Sequence, residues 1–336
     1  MSLILALETS CDDTCAAVVT DAGDVRSNVI SSQGIHDAYG GVVPEIASRH
    51  HLELANAAVD DALRRAGATL GDVGLVAVTQ GPGLVGALLV GVATAKAIAA
   101  ARGLPLAAVD HLQGHVAANF LRAEDGGPTI MAPPFACLLA SGGHTLLARV
   151  EDRASFVVLG RTLDDAAGEA FDKGARLLGL PFPGGPAIER LARDGDPRAF
   201  SFPIARRLAG LDFSFAGVKT ALLYRVRDLG EQQARARRAD LAASYQHAIV
   251  EALAERCEQA LEQTGMARLA IGGGVAANGP LRERLQTLGV ALGIPPRELC
   301  TDNAAMIASA ARYVQAQPFP RYLGLDAYAS GERALA

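Results

Sequence analysis

The sequence predicts an α/β protein built from two related halves, and three observations predict it. The opening LILALETSCDDTCAAVVTDAGDV sets two apolar runs either side of a polar, small-residue tip, as a β-hairpin does. FACLLASGGHTLLARVED, at 135–152, repeats that layout around the tip Ser141 to Thr145. After each hairpin, apolar runs of strand length alternate with longer stretches of helical periodicity. Such alternation marks α/β folds, whose ligand sites lie at strand ends.

In the first half, Pro44 to Arg65 carries Ala, Leu and Val at helical spacing, and Leu75 to Thr79 reads as a buried strand. Gly83 to Ala101 is the next helix, and Leu104 to Val109 is a strand feeding a helix that opens VDHLQGHVAANF. In the second half, Ala239 to Thr264 is a long helix, Leu269 to Ile271 a buried strand and Gly279 to Leu288 a further helix. The Pro- and Gly-rich stretch Asp125 to Pro134 marks the meeting of the halves. The basic run EQQARARR (231–238) reads as a solvated helix face in preference to an RNA patch.

At 336 residues and 50% hydrophobic, the chain has material for two domains. A net charge of -5 argues against nucleic-acid binding through a globally basic surface, but leaves a local patch or a basic partner open. Cys11, Cys15, Cys137, Cys257 and Cys300 form no CxxC pair, which suits reduced thiols buried as small hydrophobes. The N-terminus lacks a basic n-region, and the apolar stretch Leu84 to Ala95 holds Gly86 and Gly91 and stops at Lys96, too short to span a bilayer. A cytoplasmic protein without a membrane partner is expected.

Several motifs bear on chemistry. GPGLVG (81–86) follows a strand, opens a helix and matches the dinucleotide pattern GxGxxG. Tight turning and close helix packing need the same glycines, and Pro82 removes a backbone donor. His111 and His115 stand at i and i+4, one helix face, where two nitrogens can meet one ion. Leu112 occupies the place where a zinc protease of the HExxH type has its general base, so hydrolytic chemistry is disfavoured. A third ligand is required, and CTDNAAMIASA (300–310) offers Asp302 beside Asn303 at a helix start, where a capping role is the alternative. Two neutral imidazoles with a carboxylate suit divalent iron or zinc.

The tip SGGHT can converge backbone N–H groups on an anion, or serve as an ordinary hairpin turn. IGGGVAANGPLRERL (271–285) is a strand, a glycine run and a helix start, suited to adenosine or phosphate, with Asn278 as cap or ligand contact. Asp172, in the acidic segment around Lys173, can accept from ribose hydroxyls, and PFPGGPAIE (181–189) brings glycines where a nucleoside can lie close to backbone.

LETSCDDT, YGGVVPEIASRHH, GPGLVGALLVG, DHLQGH, LLASGGHT, DDAAGEAFDK, PGGPAIE, LDFSFAGVKT, GGGVAANGPLR and CTDNAAMIA stand in the order found in the TsaD/Gcp family, the tRNA adenosine threonylcarbamoyltransferases of bacterial type, which this chain resembles from about residue 3 to 313. The resemblance implies the duplicated fold shared by actin, sugar kinases and heat-shock chaperone ATPases (ASKHA), two lobes around a central cleft. Lobe I is expected at 1–130 plus roughly 305–325, lobe II at 131–304, and a tail at 326–336. It also implies that GPGLVG is a helix start and not a NAD site.

The implied activity is transfer of a threonylcarbamoyl group from threonylcarbamoyl-adenylate, with release of AMP, to the exocyclic amine of the adenosine 3' to the anticodon in tRNAs reading ANN codons. The family's metal ligands fall on His111, His115 and Asp302, for one divalent ion per subunit, Fe2+ preferred and Zn2+ possible. Its substrate contacts fall on Leu139, Ala140, Ser141, Gly142, Gly143, Asp172, Gly185 and Asn278, with Glu189 at a position that varies among relatives. Implied partners are tRNA, an inactive paralogue (TsaB-like) that lacks the paired histidines, and a small P-loop ATPase (TsaE-like). The alternatives are an ATPase or kinase of the same fold, a metallopeptidase and a non-catalytic scaffold.

Overall fold

The computed structural model describes residues 2–39, 41–122, 127 and 129–329. The boundary stretch expected at 125–134 lies partly outside the described residues, at 125, 126 and 128, as does the end of the tail, 330–336. The chain divides into two compact units: Met1–Ala132 with Asp152–Ser155 and Asp302–Ala336, and Pro133–Glu151 with Phe156–Thr301.

In the first unit, β1 (Leu3–Glu8), β2 (Asp13–Thr20), β3 (Val25–Ser32), β4 (Val73–Gly81) and β5 (Leu106–Asp110) form a sheet in the order β3-β2-β1-β4-β5. β1, β2 and β3 are antiparallel neighbours, so the opening hairpin is real, while β4 and β5 add parallel to β1. Both faces of this sheet are covered. Leu5, Leu7, Ala16, Val18, Val76 and Val78 point into a core shared with helices α1 (Pro44–Ala66) and α2 (Val85–Arg102), and alternate residues face the other way. Pro44 starts α1, where its missing N–H costs nothing. Gly67 and Gly103 end α1 and α2 in the left-handed conformation, at φ 63° and 64°. Helix α3 (His111–Ala117) follows β5 directly.

GPGLVG joins β4 to α2, and its glycines admit neighbouring chain. Gly81 has φ +155°, and a Cβ there would lie 2.8 Å from the ring of Tyr328; at Gly83 it would lie 2.6 Å from the Ser10 carbonyl. Close approach therefore accounts for the motif without a dinucleotide. Helix α2 runs past the apolar stretch read from the sequence, and by length and composition alone it can cross a bilayer. It packs Ala87, Leu88, Val92, Ala95 and Ala99 into its own unit's interior, the position of a core helix.

In the second unit, β6 (Phe135–Ala140), β7 (Thr145–Val150), β8 (Val157–Arg161), β9 (Arg268–Gly272) and β10 (Ala291–Gly293) form a sheet in the order β10-β9-β6-β7-β8. Matching β6 through β10 to β1 through β5 gives the same neighbours with the same directions. The duplicated α/β fold expected from the paired hairpins is thus present strand for strand. Its helices are α4 (Ala167–Leu177), α5 (Gly184–Ala192), α6 (Ala216–Ala236), α7 (Arg238–Thr264), α8 (Gly279–Gln286) and α9 (Arg297–Cys300). α7 is the spine, burying Leu241, Tyr245, Ile249, Leu253 and Cys257 in the core. α6 is interrupted at Gly230 (φ 70°), and in EQQARARR Ala234 turns inward while Arg235 and Arg237 are exposed. The chain then returns to the first unit as α10 (Ala304–Ala311), which packs on α3 and on the first sheet.

Four of the cysteines are buried and Cys11 half-buried; all are free thiols. Burial pushes the Cys15, Cys137 and Cys257 thiols up, away from the reactive thiolate.

Candidate active site

Asp110 ends β5 and caps α3, its Oδ1 accepting from Leu112 N (2.9 Å) and Gln113 N (3.1 Å). That cap sets His111 as the first helical residue and His115 one turn later on the same face. Gly114 lets α10 come close, since a Cβ there would lie 2.7 Å from Ile307 Cδ1. At the start of α10, Asn303 takes the capping role by accepting from Met306 N (2.9 Å), and Asp302 stands just ahead of it. The alternative of Asp302 as cap is resolved in favour of its neighbour.

These elements bring His111, His115 and Asp302 together, with one donor atom from each lying within 4.8 Å of the others. Asp302 Oδ1 is 3.6 Å from His111 Nε2 and 3.2 Å from His115 Nε2. His115 is only 1% exposed, yet neither ring nitrogen has a hydrogen-bond partner. A buried imidazole that makes no hydrogen bond and has the Asp302 carboxylate nearby is costly unless something else satisfies it. Two nitrogens and a carboxylate oxygen at this spacing fit a divalent cation of the iron or zinc type.

A residue the sequence reading passed over supports the pair. Glu8, at the end of β1 and fully buried, places Oε2 2.9 Å from His111 Nδ1 and accepts there from Thr79 Oγ1 at 2.6 Å, while Ser10 N donates to Oε1. The Ser10 hydroxyl also lies 3.2 Å from His111 Nδ1. Burial pushes Glu8 up, but His111 and the Thr79 hydroxyl outweigh it and hold the carboxyl below its usual value. Burial pushes His111 down, but Asp302 and Glu8 more than reverse this and raise it to about 9. The motif LETSCDDT carried the signal: an acid closing an otherwise apolar strand.

In the second unit, Ser141 to Gly143 follow β6 and Asn278 follows β9, while Asp172 lies on α4 and Gly185 and Glu189 on α5. Ser141 accepts through its carbonyl from Gly168 N (3.1 Å), seating the tip on the first turn of α4, and open space surrounds Gly142 and Gly143 where a Cβ would stand. Gly273 (φ +85°) packs on the Ala140 backbone. Asp172 Oδ1 accepts from Gly184 N at 2.7 Å, tying α4 to the start of α5, where Gly185 follows with nothing against it. Asn278 caps α8 by accepting from Leu281 N (3.0 Å) and donates to Gln246 Oε1 (3.0 Å) and Glu189 Oε2 (3.2 Å). Leu139 is buried in β6. Asn278 thus fills the capping role and Glu189 is its neighbour.

Two sheets of identical order define the class, a duplicated α/β protein of the actin, sugar kinase and chaperone ATPase fold, and the His-His-Asp grouping has the donor spacing a metal ion requires. Solved structures agree on the fold. Component A of (R)-2-hydroxyglutaryl-CoA dehydratase from Acidaminococcus fermentans is similar with TM-score 0.57 and 14% identity over 96% of this chain and all of that one. HypF of T. kodakarensis is similar with TM-score 0.56 and 12% identity over 92% of this chain and 47% of that one.

Sequence similarity is far closer to another group. The family described as TsaD, tRNA N6-adenosine threonylcarbamoyltransferase, matches over residues 24–309, and the chain belongs to that family of transferases. A relative of that name from Symbiobacterium thermophilum is 52% identical over 93% of this chain and 91% of its own length. One from Clostridium perfringens (strain SM101) is 49% identical over 93% and 92%, and one from Moorella thermoacetica 52% over 92% and 91%.

Proposed function

We propose that this transferase moves the threonylcarbamoyl group from threonylcarbamoyl-adenylate to the N6 amine of the adenosine 3' to the anticodon in tRNAs reading ANN codons. The amine attacks the carbamoyl carbon, the bond from that carbon to the phosphate oxygen breaks, AMP leaves with the bonding pair, and the amine sheds one proton. The mixed anhydride is already activated, so the protein's task is orientation and stabilisation of charge on the carbonyl oxygen.

The observation that carries this reading is the His111, His115 and Asp302 grouping, in which the buried His115 ring makes no hydrogen bond. We assign those three residues to one divalent ion, with Fe2+ preferred and Zn2+ accommodated. When bound, such an ion supplies Lewis acidity to carbamoyl or phosphate oxygens. Glu8 holds His111 so that Nε2 faces Asp302, and Asp110 fixes the helix that carries both histidines. Leu139 to Gly143, Asp172, Gly185 and Asn278 are assigned to the adenylate, with Glu189 supporting Asn278. The open space at Gly142 and Gly143 supports approach of a ligand to backbone N–H groups there. The tRNA anticodon loop is single-stranded and can offer its base without melting a duplex.

The family resemblance supports cytoplasmic work alongside an inactive paralogue and a small P-loop ATPase. An ATPase or kinase is not favoured, because close relatives along almost the whole chain are named as transferases. A metallopeptidase is disfavoured by Leu112, which stands where the general base is needed. The test is reconstitution with both partners, an adenylate-forming enzyme, ATP, threonine, bicarbonate and unmodified tRNA, followed by nucleoside mass spectrometry. Threonylcarbamoyl-adenosine is expected; unmodified adenosine alone would overturn the reading.

A further inference from the structure

The segment that follows α10 lies beyond the region matched to the family, which ends at residue 309, and it is tied down along its length. Gln317 pairs with Leu106 of β5 in both directions, each bond 2.9 Å. Tyr322 is fully buried, and Leu325 joins the core of the first unit. Lys96 of α2 donates to the carbonyls of Leu323 (2.9 Å) and Leu325 (2.5 Å). Gln80 of β4 then brackets the chain, its side chain donating to Asp326 O (2.6 Å) and its carbonyl accepting from Tyr328 N (3.2 Å). Gly83 N reaches Ala329 O at 3.2 Å.

The run ends on one side chain contact. Tyr328 lays its ring against Gly81, where any side chain would collide with it, and its hydroxyl donates to Asp110 Oδ2 at 2.6 Å. The other oxygen of Asp110 caps Leu112 and Gln113. One carboxylate therefore joins the C-terminal segment to the first turn of α3. That helix has seven residues, too few to be stable alone, so its cap decides where His111 points.

We propose that residues 315–329 form a strap that positions the metal-bearing helix, with Tyr328 as a positioning residue acting through Asp110. The inference rests on the metal reading of His111 and His115 for its consequence, but the fixing of α3 stands independently of any ion. Gly81, the first glycine of GPGLVG, belongs to the same device, because it makes room for the tyrosine. Without the hydroxyl, Asp110 keeps its cap but loses the donor that orients its second oxygen, and the first turn of α3 loosens.

The test uses the full chain and Tyr328→Phe, which keeps the ring and removes only the donor. In metal-free protein, amide hydrogen exchange at Leu112 and Gln113 should accelerate by about fivefold or more, while exchange in β1 and β4 stays as in the parent. Zn2+ affinity, read by competition with a chromophoric chelator, should fall roughly tenfold, the lower end of the range for groups that orient metal ligands. A chain ending at Ala327 should reproduce both changes. Unchanged exchange at Leu112 and Gln113, or a uniform acceleration through the whole unit, overturns the strap. Failure of the parent chain to bind Zn2+ overturns the metal reading instead, and the exchange measurement still decides the strap.

Discussion

Glu8 Oε2 lies 2.9 Å from His111 Nδ1, and both side chains are buried. A carboxylate behind an imidazole holds the proton on Nδ1 and presents Nε2 as the ligand atom, an arrangement common to metal-binding histidines. Glu8→Gln keeps the shape and removes the charge. It should weaken Zn2+ binding by about 10- to 100-fold with the fold intact. Chelator competition together with a thermal melt checks this, and undiminished affinity in the glutamine variant would count against the role given to Glu8.

The same pair sets a pH dependence. The pKa of His111 is raised from 6.5 to about 9, so the protonated ring stabilises the metal-free fold fully below about pH 6.5, and that contribution is lost as pH rises through about 9. A cation must displace this proton. Apparent metal affinity should therefore climb by up to about tenfold per pH unit between 6.5 and 9 and flatten above. Titrations across that interval that show constant affinity would contradict the assignment.

Gly114 is where α3, which carries both histidines, meets α10, which follows Asp302. In Gly114→Ala the new methyl would stand 2.7 Å from Ile307 Cδ1 and 3.3 Å from Met306 Cγ. Overpacking of this kind costs about 1–3 kcal/mol, against which the better helix propensity of alanine returns up to about 1 kcal/mol. The helices should part slightly, so both the denaturation midpoint and the metal affinity fall. A variant as stable as the parent would show that the contact is looser than described.

Gly273 offers the complementary case in the second unit. Its φ of +85° and its approach to the Ala140 backbone leave no room for a side chain. Gly273→Ala should cost about 2 kcal/mol or more. Metal binding should persist, because all three metal residues belong to the other unit. Loss of bound metal in this variant would contradict the separation.

Much of the fold is legible because each half repeats the same hairpin and buries its strands as apolar runs. Helices with end signals, such as α1 between Pro44 and Gly67, lie close to their expected bounds. α4 was less visible: Ala166 precedes it without a side-chain cap, and the acids of DDAAGEAFDK draw attention away from the inward face of Ala170, Phe171 and Ala175. β10, three residues long, carries no periodicity to read. In the site, the two histidines announce themselves by spacing, whereas Glu8 and Tyr328 act across long separations that no local pattern records. The sequence leaves Asn278 open between cap and ligand contact and offers Asp172 only as an acceptor for ribose hydroxyls; in the fold both hold helix starts in place.

Elemental analysis of the purified chain beside His111→Ala/His115→Ala tests the central claim most directly. The parent, reconstituted with Fe2+ or Zn2+ and desalted, should carry one ion per chain, and the double variant none, with threonylcarbamoyl transfer lost alongside the metal. A double variant that keeps a stoichiometric ion, or that transfers at full rate without one, would contradict the account.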